Sequence, residues 1–322
     1  MTDRKEVNLM RYAFGVDIGG TTVKLGLFDQ DANVLKKWEI PTRKENGGEQ
    51  ILPDVAASIL QVMSQMNMEK EAVIGVGVGA PGPVDDAGVI ERALNLGWGV
   101  FNLSETLEKL LDLPVKSGND ANVAAFGEMW QGGGKGYKDL VVVTLGTGVG
   151  GGIIINSKIL TGANGAAGEV GHIQVEKGEA EVCNCGNTGC LEQYASATGI
   201  AMLAARRLKK DNTPSIRRSK PKVYAKTGFD AVKQKDAVAI EIAQQFGEYL
   251  GRGLAAIAAV VNPEVFVIGG GVSKAGEILF DYIEPVFRKN VFHACSPAKL
   301  KLATLGNDAG IYGAAALFLL NQ

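Results

Sequence analysis

Asp17-Ile18-Gly19-Gly20-Thr21-Thr22 is the stretch on which the fold turns. A carboxylate ends an apolar strand, two glycines reverse the backbone, and two hydroxyls open the next strand. Such a turn suits a phosphate: glycine N–H groups point inward as an anion nest, threonine hydroxyls add donors, and the aspartate can hold a divalent cation or its water. Taken once, it reads equally well as an ordinary hairpin. A second copy, Thr144-Leu145-Gly146-Thr147-Gly148-Val149-Gly150, stands in the same strand-turn-strand setting. Two copies, each opening its own half of the chain, indicate two α/β lobes that look like duplicates.

Around the first turn, residues 12–16, 23–28 and 34–40 read as an antiparallel meander. A helical pattern at 51–66, a buried strand at 73–78, a helix at 103–111 and a strand from Val115 to Asn119-Asp120 complete an α/β lobe. A helix at 121–130 follows, and the lobe boundary is placed at its start. The first lobe is thus 1–118, completed by a C-terminal helix within 308–322. The second is 119–307, with strands at 140–145 and 153–155, a helix at 237–261, a strand at 265–268 and the glycine run Gly269, Gly270, Gly271. The basic stretch 209–226, with Pro214 and Pro221, reads as a solvated loop.

Two competing nucleotide motifs fail on context. Gly146, Gly148 and Gly151 match a dinucleotide fingerprint, as do Gly77, Gly79 and Gly82, but that fingerprint needs a helix directly after the glycines. Gly151 is followed by Ile153-Ile154-Ile155 and Gly79 by Ala80-Pro81-Gly82-Pro83. No GxxxxGK with a following Ser or Thr occurs, so nucleotide binding is left to the paired hairpins. At 322 residues the chain exceeds one usual core, and its 46% hydrophobic residues, 21% charged residues and net charge of −2 give no sign of a nucleic-acid partner. Residues 1–11 have no apolar run behind their charges, and 141–145 is too short to span a bilayer, so a cytoplasmic protein without membrane contact is expected.

In that compartment four cysteines are not expected to pair, and three of them, Cys183, Cys185 and Cys190, fall within eight positions. His172 lies eleven residues before Cys183. Three thiolates and an imidazole make a closed tetrahedral zinc shell, which is structural, and it would steady the flanking Glu169 and Glu192. Buried inert cysteines or a redox pair are the alternatives. Asn119-Asp120 sits at a strand end before a helix. Asp120 is either a general base or, with Asn119, a helix cap; with His172 engaged elsewhere, phosphoryl transfer to an alcohol favours the base. His293 and Cys295 stand apart as packing or surface residues.

Glu169-Val170-Gly171-His172 and Cys183-Asn184-Cys185-Gly186-Asn187-Thr188-Gly189-Cys190-Leu191-Glu192 carry both signatures, ExGH and CxCGxxGCxE, of the ROK family of sugar kinases and repressors. The chain resembles that family from about residue 14 to 319, and most of all its glucokinases from Gram-positive bacteria. The resemblance implies the two-lobed actin-like ATPase (hexokinase and ribonuclease H-like) fold with a cleft between lobes. It also implies ATP with magnesium as donor, glucose as acceptor, and zinc on His172, Cys183, Cys185 and Cys190. Sugar hydroxyls would be held by Asn119, Asp120, Glu169, His172 and Glu192, with Asp120 the base. Gly82 and Asn95 match positions near the sugar, and Gly269, Gly270 and Gly271 the turn near the adenosine. A homo-oligomer, dimer or tetramer, is expected.

The interval from His172 to Cys183 is one residue longer than in some relatives, which need not break the site. Another hexose, such as fructose, mannose, allose or N-acetylmannosamine, could replace glucose, and polyphosphate could replace ATP. A sugar-sensing repressor is disfavoured, because the phosphate turn begins at Asp17 with no helix-turn-helix before it. An actin-like ATPase acting on partner proteins gives no reason for metal-braced carboxylates.

Overall fold

The computed structural model describes residues 10–219 and 225–320; expectations that fall on 1–9, 220–224 and 321–322 lie outside them. Contacts divide the chain into two units. The first takes the chain through Gln131, then Thr161–Ala167, and the residues from Asn307 onward; the second takes Gly132–Leu160 and Gly168–Gly306.

In the first unit, β1 (Tyr12–Ile18), β2 (Thr22–Asp29) and β3 (Val34–Pro41) form the meander. Beside β1 lie β4 (Val73–Ala80) and, beyond a small ribbon of β5 (Val89–Ile90) and β6 (Phe101–Asn102) in sequence, β7 (Val115–Asn119). The sheet order is β3-β2-β1-β4-β7, antiparallel in the meander and parallel from β1 to β7. β3 alternates half-buried and exposed residues as an edge strand should, whereas β1 and β4 are buried almost throughout. That difference follows from helices covering both faces of the inner strands. Phe14 and Val16 pack with Ile51, Val55 and Leu107 from the helices Ile51–Gln65 and Leu103–Leu111. The opposite face, with Ala13 and Phe28, meets Ile311 and Ala315 of the C-terminal helix Ala309–Leu319. Glycine brings that helix close: a Cβ on Gly15 would lie 2.0 Å from the Ile311 carbonyl oxygen, and one on Gly77 1.8 Å from that of Ala314.

The second unit repeats the plan. β8 (Leu140–Leu145), β9 (Val149–Ile155) and β10 (Lys158–Ile159) are the meander, and β11 (Val265–Gly269) and β12 (Lys299–Leu302) run parallel to β8, in the order β10-β9-β8-β11-β12. The long helix Ala237–Val261 is capped at its start by Asp236, whose carboxylate accepts from the Ala239 N–H at 2.9 Å, and stopped by Asn262 in the left-handed region. Its Phe246, Leu250 and Leu254 pack in one core with Phe266 and Ile268 of β11 and with Phe287 of the helix Phe280–Asn290.

Three departures from expectation have physical causes. The helix Asp120–Gln131, placed at the head of the second lobe on sequence, groups with the first unit because it packs along Ala309–Leu319: Gly313 would put a Cβ 1.7 Å from the Val123 carbonyl oxygen. The stretch 209–226 is not wholly a solvated loop. The helix Ala197–Lys210 runs into it, Ile216–Ser219 forms a 3₁₀ turn, the helix Ala225–Lys233 begins there, and Arg217 is buried at 4% exposure. Arg217 lies among Ile200, Phe229, Val232 and Phe246 with its guanidinium nitrogens buried as well, so a basic run conceals a core-facing residue. β12 was hidden by its alternating lysines, which are ordinary on an edge strand. Among the described residues no helix is long and apolar enough to cross a membrane.

Candidate functional site

In the first unit, the β1–β2 turn is fixed by main-chain bonds. Gly19 N–H donates to Thr22 O at 3.0 Å, and Thr42, just past β3, donates its hydroxyl to Gly19 O at 2.7 Å and its N–H to Thr21 O at 3.0 Å. Thr42 carries no motif that sequence could flag. Space beyond Gly20 is open. Asp17 lies at the end of β1, opposite Lys24 in the hairpin register, with Lys24 Nζ 3.9 Å from its carboxylate. Its carboxylate also packs on Gly310, where a Cβ would stand 2.5 Å from Asp17 Cγ. Burial pushes the Asp17 carboxyl above its usual range, with Lys24 pulling the other way. A divalent cation beside it would favour the ionised form.

The alternative uses of Asn119 and Asp120 separate in the structure. Asn119 Oδ1 accepts from the N–H groups of Ala121 at 3.0 Å and Asn122 at 3.1 Å, so Asn119 caps the helix Asp120–Gln131. Asp120, in the first turn, accepts from its neighbour Ala121 N–H at 2.8 Å. The Asn119 amide also donates to Gly82 O at 3.1 Å. Gly82 has a left-handed φ of 105° and packs on Arg92 O, at the base of the turn between Ala93 and Trp98 that exposes Asn95. Trp98 holds that turn, donating its indole N–H to Gly48 O at 3.1 Å. Asn119, Asp120, Gly82 and the Asn95 turn are therefore joined through successive contacts.

In the second unit the β8–β9 turn closes through Gly146 N–H to Gly148 O at 2.9 Å, and Gly146 O accepts from Ala197 N–H at 2.8 Å. Thr144 lies beside Gly269 in register, and Gly270, with φ 83°, passes so near that a Cβ would be 2.5 Å from Leu145 O. The glycine run Gly269, Gly270, Gly271 thus lies against the second turn. Glu192 reaches the turn from another direction: its Oε2 accepts from Val149 N–H at 3.1 Å and leaves Gly148 no room for a side chain, since a Cβ there would be 2.0 Å from that oxygen. Thr147 sits between these glycines at the tip.

His172, Cys183, Cys185 and Cys190 bring one ligand atom each to within 4.8 Å of one another. Cys183 Sγ is 3.7 Å from His172 Nδ1, and Cys185 Sγ is 3.6 Å from Cys190 Sγ, too far for a disulfide. Ligands at about 2.0–2.3 Å around a tetrahedral zinc would stand about 3.5–3.8 Å apart, so the set fits that ion. Burial pushes the thiol of Cys183 up and that of Cys190 up to about 12, while the Asn187 N–H draws Cys185 down. A bound dication is what would let buried thiols ionise together. Nδ1 faces the sulfurs, so Nε2 points away, 3.9 Å from Glu169 Oε2. Cys183 Sγ is 3.6 Å from Glu192 Oε1, so both glutamates border the cluster.

Comparison with known proteins follows this geometry. The model of the ROK family matches residues 13–320. The glucokinase of Halalkalibacterium halodurans is 44% identical over 308 residues, covering 94% of this chain and 93% of that protein. The glucokinase of Thermotoga maritima is 39% identical over 316 residues, covering 94% and 96%. A ROK family glucokinase from Streptomyces griseus, solved in complex with glucose and AMPPNP, superposes with a TM-score of 0.74 at 34% identity, covering 96% of this chain and all of the other.

Proposed function

The chain belongs to the ROK family, and from that premise we propose that it phosphorylates glucose, passing the γ-phosphate of ATP to the 6-hydroxyl to give glucose 6-phosphate. Its duplicated sheets are those of the actin-like ATPase fold. One observation carries the catalytic assignment: Asn119 does the helix capping, so the adjacent Asp120 carboxylate is not required for it. Asp120 accepts the proton of the 6-hydroxyl as that oxygen attacks phosphorus, the role such transfers demand of a carboxylate.

Asn119, Gly82 and Asn95 bind and orient the sugar, and Glu169, His172 and Glu192 supply acceptors and a donor. With Nδ1 turned to the thiols, His172 keeps its proton on Nε2, where it can donate to a sugar oxygen. Backbone N–H groups and hydroxyls at Gly19, Gly20, Thr21 and Thr22, and at Thr144, Gly146, Thr147 and Gly148, bind phosphate oxygens, and Gly269, Gly270 and Gly271 lie by the adenosine. Asp17 would hold magnesium or its water; when bound, that ion neutralises phosphate charge. Zinc on the His172, Cys183, Cys185 and Cys190 set is structural, bracing Glu169 and Glu192. A cytoplasmic setting and a homo-oligomer, dimer or tetramer, belong to the same proposal and rest on the family resemblance.

A coupled assay across a hexose panel with ATP and with polyphosphate tests this. Glucose with ATP should give the highest kcat/KM; N-acetylmannosamine ahead of glucose would overturn the sugar, and hydrolysis of ATP that needs no sugar would overturn the kinase. Asp120→Asn should lower kcat roughly 10²-fold or more with glucose still bound. Turnover within a few-fold of wild type would remove Asp120 from the role.

A further inference from the structure

The segment between His172 and Cys183 carries a buried carboxylate that the reaction above does not use. The Glu179 side chain is 3% exposed, and each of its oxygens is engaged twice. Oε2 accepts from Arg206 NH1 at 2.7 Å and from the Tyr194 hydroxyl at 2.6 Å; Oε1 accepts from Arg206 NH2 at 2.8 Å and from Glu181 N–H at 2.9 Å. Tyr194 stacks on Tyr249 with ring centroids 4.0 Å apart, and the Tyr249 hydroxyl donates to Glu176 Oε2 at 3.1 Å. Residues 176–181 are therefore pinned to three helices: Tyr194 belongs to Glu192–Ala195, Arg206 to Ala197–Lys210 and Tyr249 to Ala237–Val261.

We propose that Glu179, Arg206 and Tyr194 form a metal-independent clamp that sets the position of Glu192, and through it the affinity for the sugar. Tyr194 stands two residues after Glu192 in the same single-turn helix, so a shift of its hydroxyl swings the carboxylate that touches Val149 N–H and Cys183. None of the four cluster ligands lies in 176–181, so the clamp holds a part of the loop that the cluster does not. The Arg206 side chain is 41% exposed, and an ion pair open to solvent on one side contributes little net stability, so its use here is geometric. The bidentate bonds from Arg206 hold Glu179 at about 2, fully ionised at neutral pH. The inference rests on the assignment of Glu192 to the sugar.

The test compares Tyr194→Phe, Glu179→Gln and Arg206→Ala in the full chain, with Arg206→Lys as the conservative variant. Tyr194→Phe removes one hydroxyl and keeps the ring stack, so it guards against loss of folding in the other two. Zinc per chain and the KM for ATP should stay at wild-type values, kcat should stay within about threefold, and the KM for glucose should rise about tenfold, with Arg206→Lys in between. A glucose KM within twofold of wild type in all of them overturns the clamp, as does zinc loss in step with activity. Wild-type protein inert toward glucose would overturn the sugar assignment beneath it as well, which separates the two failures.

Discussion

The two hairpin turns occupy the same place in duplicated sheets, yet they are furnished differently. Asp17 stands at the end of β1 beside Gly79 of β4; the equivalent strand end of β8 carries Thr144 beside Gly269 of β11. The first turn thus has its acid on its own strand, held by Lys24 and the start of the C-terminal helix. The second has none there and receives Glu192 from 43 residues away, brought in through the metal loop. The duplicated turns thus differ in their acids: on the proposed function, Asp17 serves a cation at the first, and Glu192 couples the second to the sugar. Changes around the first should therefore affect phosphate binding and magnesium, and changes around the second phosphate binding together with the sugar and zinc.

Four experiments would break or sharpen that contrast. Cys185→Ser removes one of the four proposed zinc ligands, and both zinc and activity should fall to background by metal analysis and coupled assay; an active, metal-free variant would break the coupling of the second turn to the loop. Asp17→Asn should raise the magnesium needed for half-maximal rate by about 10- to 100-fold with zinc unchanged. An unaltered magnesium titration would deny the first turn its distinct role. Gly148→Ala forces Glu192 off Val149 N–H, which at about 1 kcal/mol for one hydrogen bond predicts a roughly fivefold rise in glucose KM and an unchanged magnesium requirement.

The smallest effect concerns pH. Because Arg206 lowers Glu179 from 4.5 to about 2, the unfolded chain binds the proton more readily, and the carboxylate stabilises the fold above about pH 4.5. That contribution is lost as pH falls toward 2. The melting temperatures of wild type and Glu179→Gln should converge over that window. A gap of constant size from pH 6 to 3 would show that the ionised form does not matter there.

Both hairpins, the clustering of His172 with Cys183, Cys185 and Cys190, and most inner elements were legible in the sequence, since each rests on local pattern. Gly19-Gly20 forces a turn wherever the chain goes, and three cysteines with His172 announce a cluster through spacing alone. What stayed hidden depends on partners distant in sequence. Nothing around Asp120 says that its helix will lie along Ala309–Leu319, and nothing near Arg217 says that its side chain will be buried against Phe229 and Phe246. That Asn119 caps the helix needed the positions of two N–H groups. Nothing in the sequence around Glu179 sets it apart from Glu181; the Tyr194 hydroxyl and the bidentate grip of Arg206 do, whereas Glu181 is mostly exposed and meets Arg206 through one oxygen.

The helix Ala309–Leu319 has a consequence for the order of synthesis. Its residues are among the last of the described chain to leave the ribosome, yet they cover Gly15 and Gly77 on strands made first. Until then the face of the first sheet bearing Ala13 and Phe28 lacks its cover, while every segment of the second unit has already emerged. The earlier-encoded unit is thus the later to mature, and a nascent chain halted before residue 309 would expose that face to chaperones or to neighbouring nascent chains.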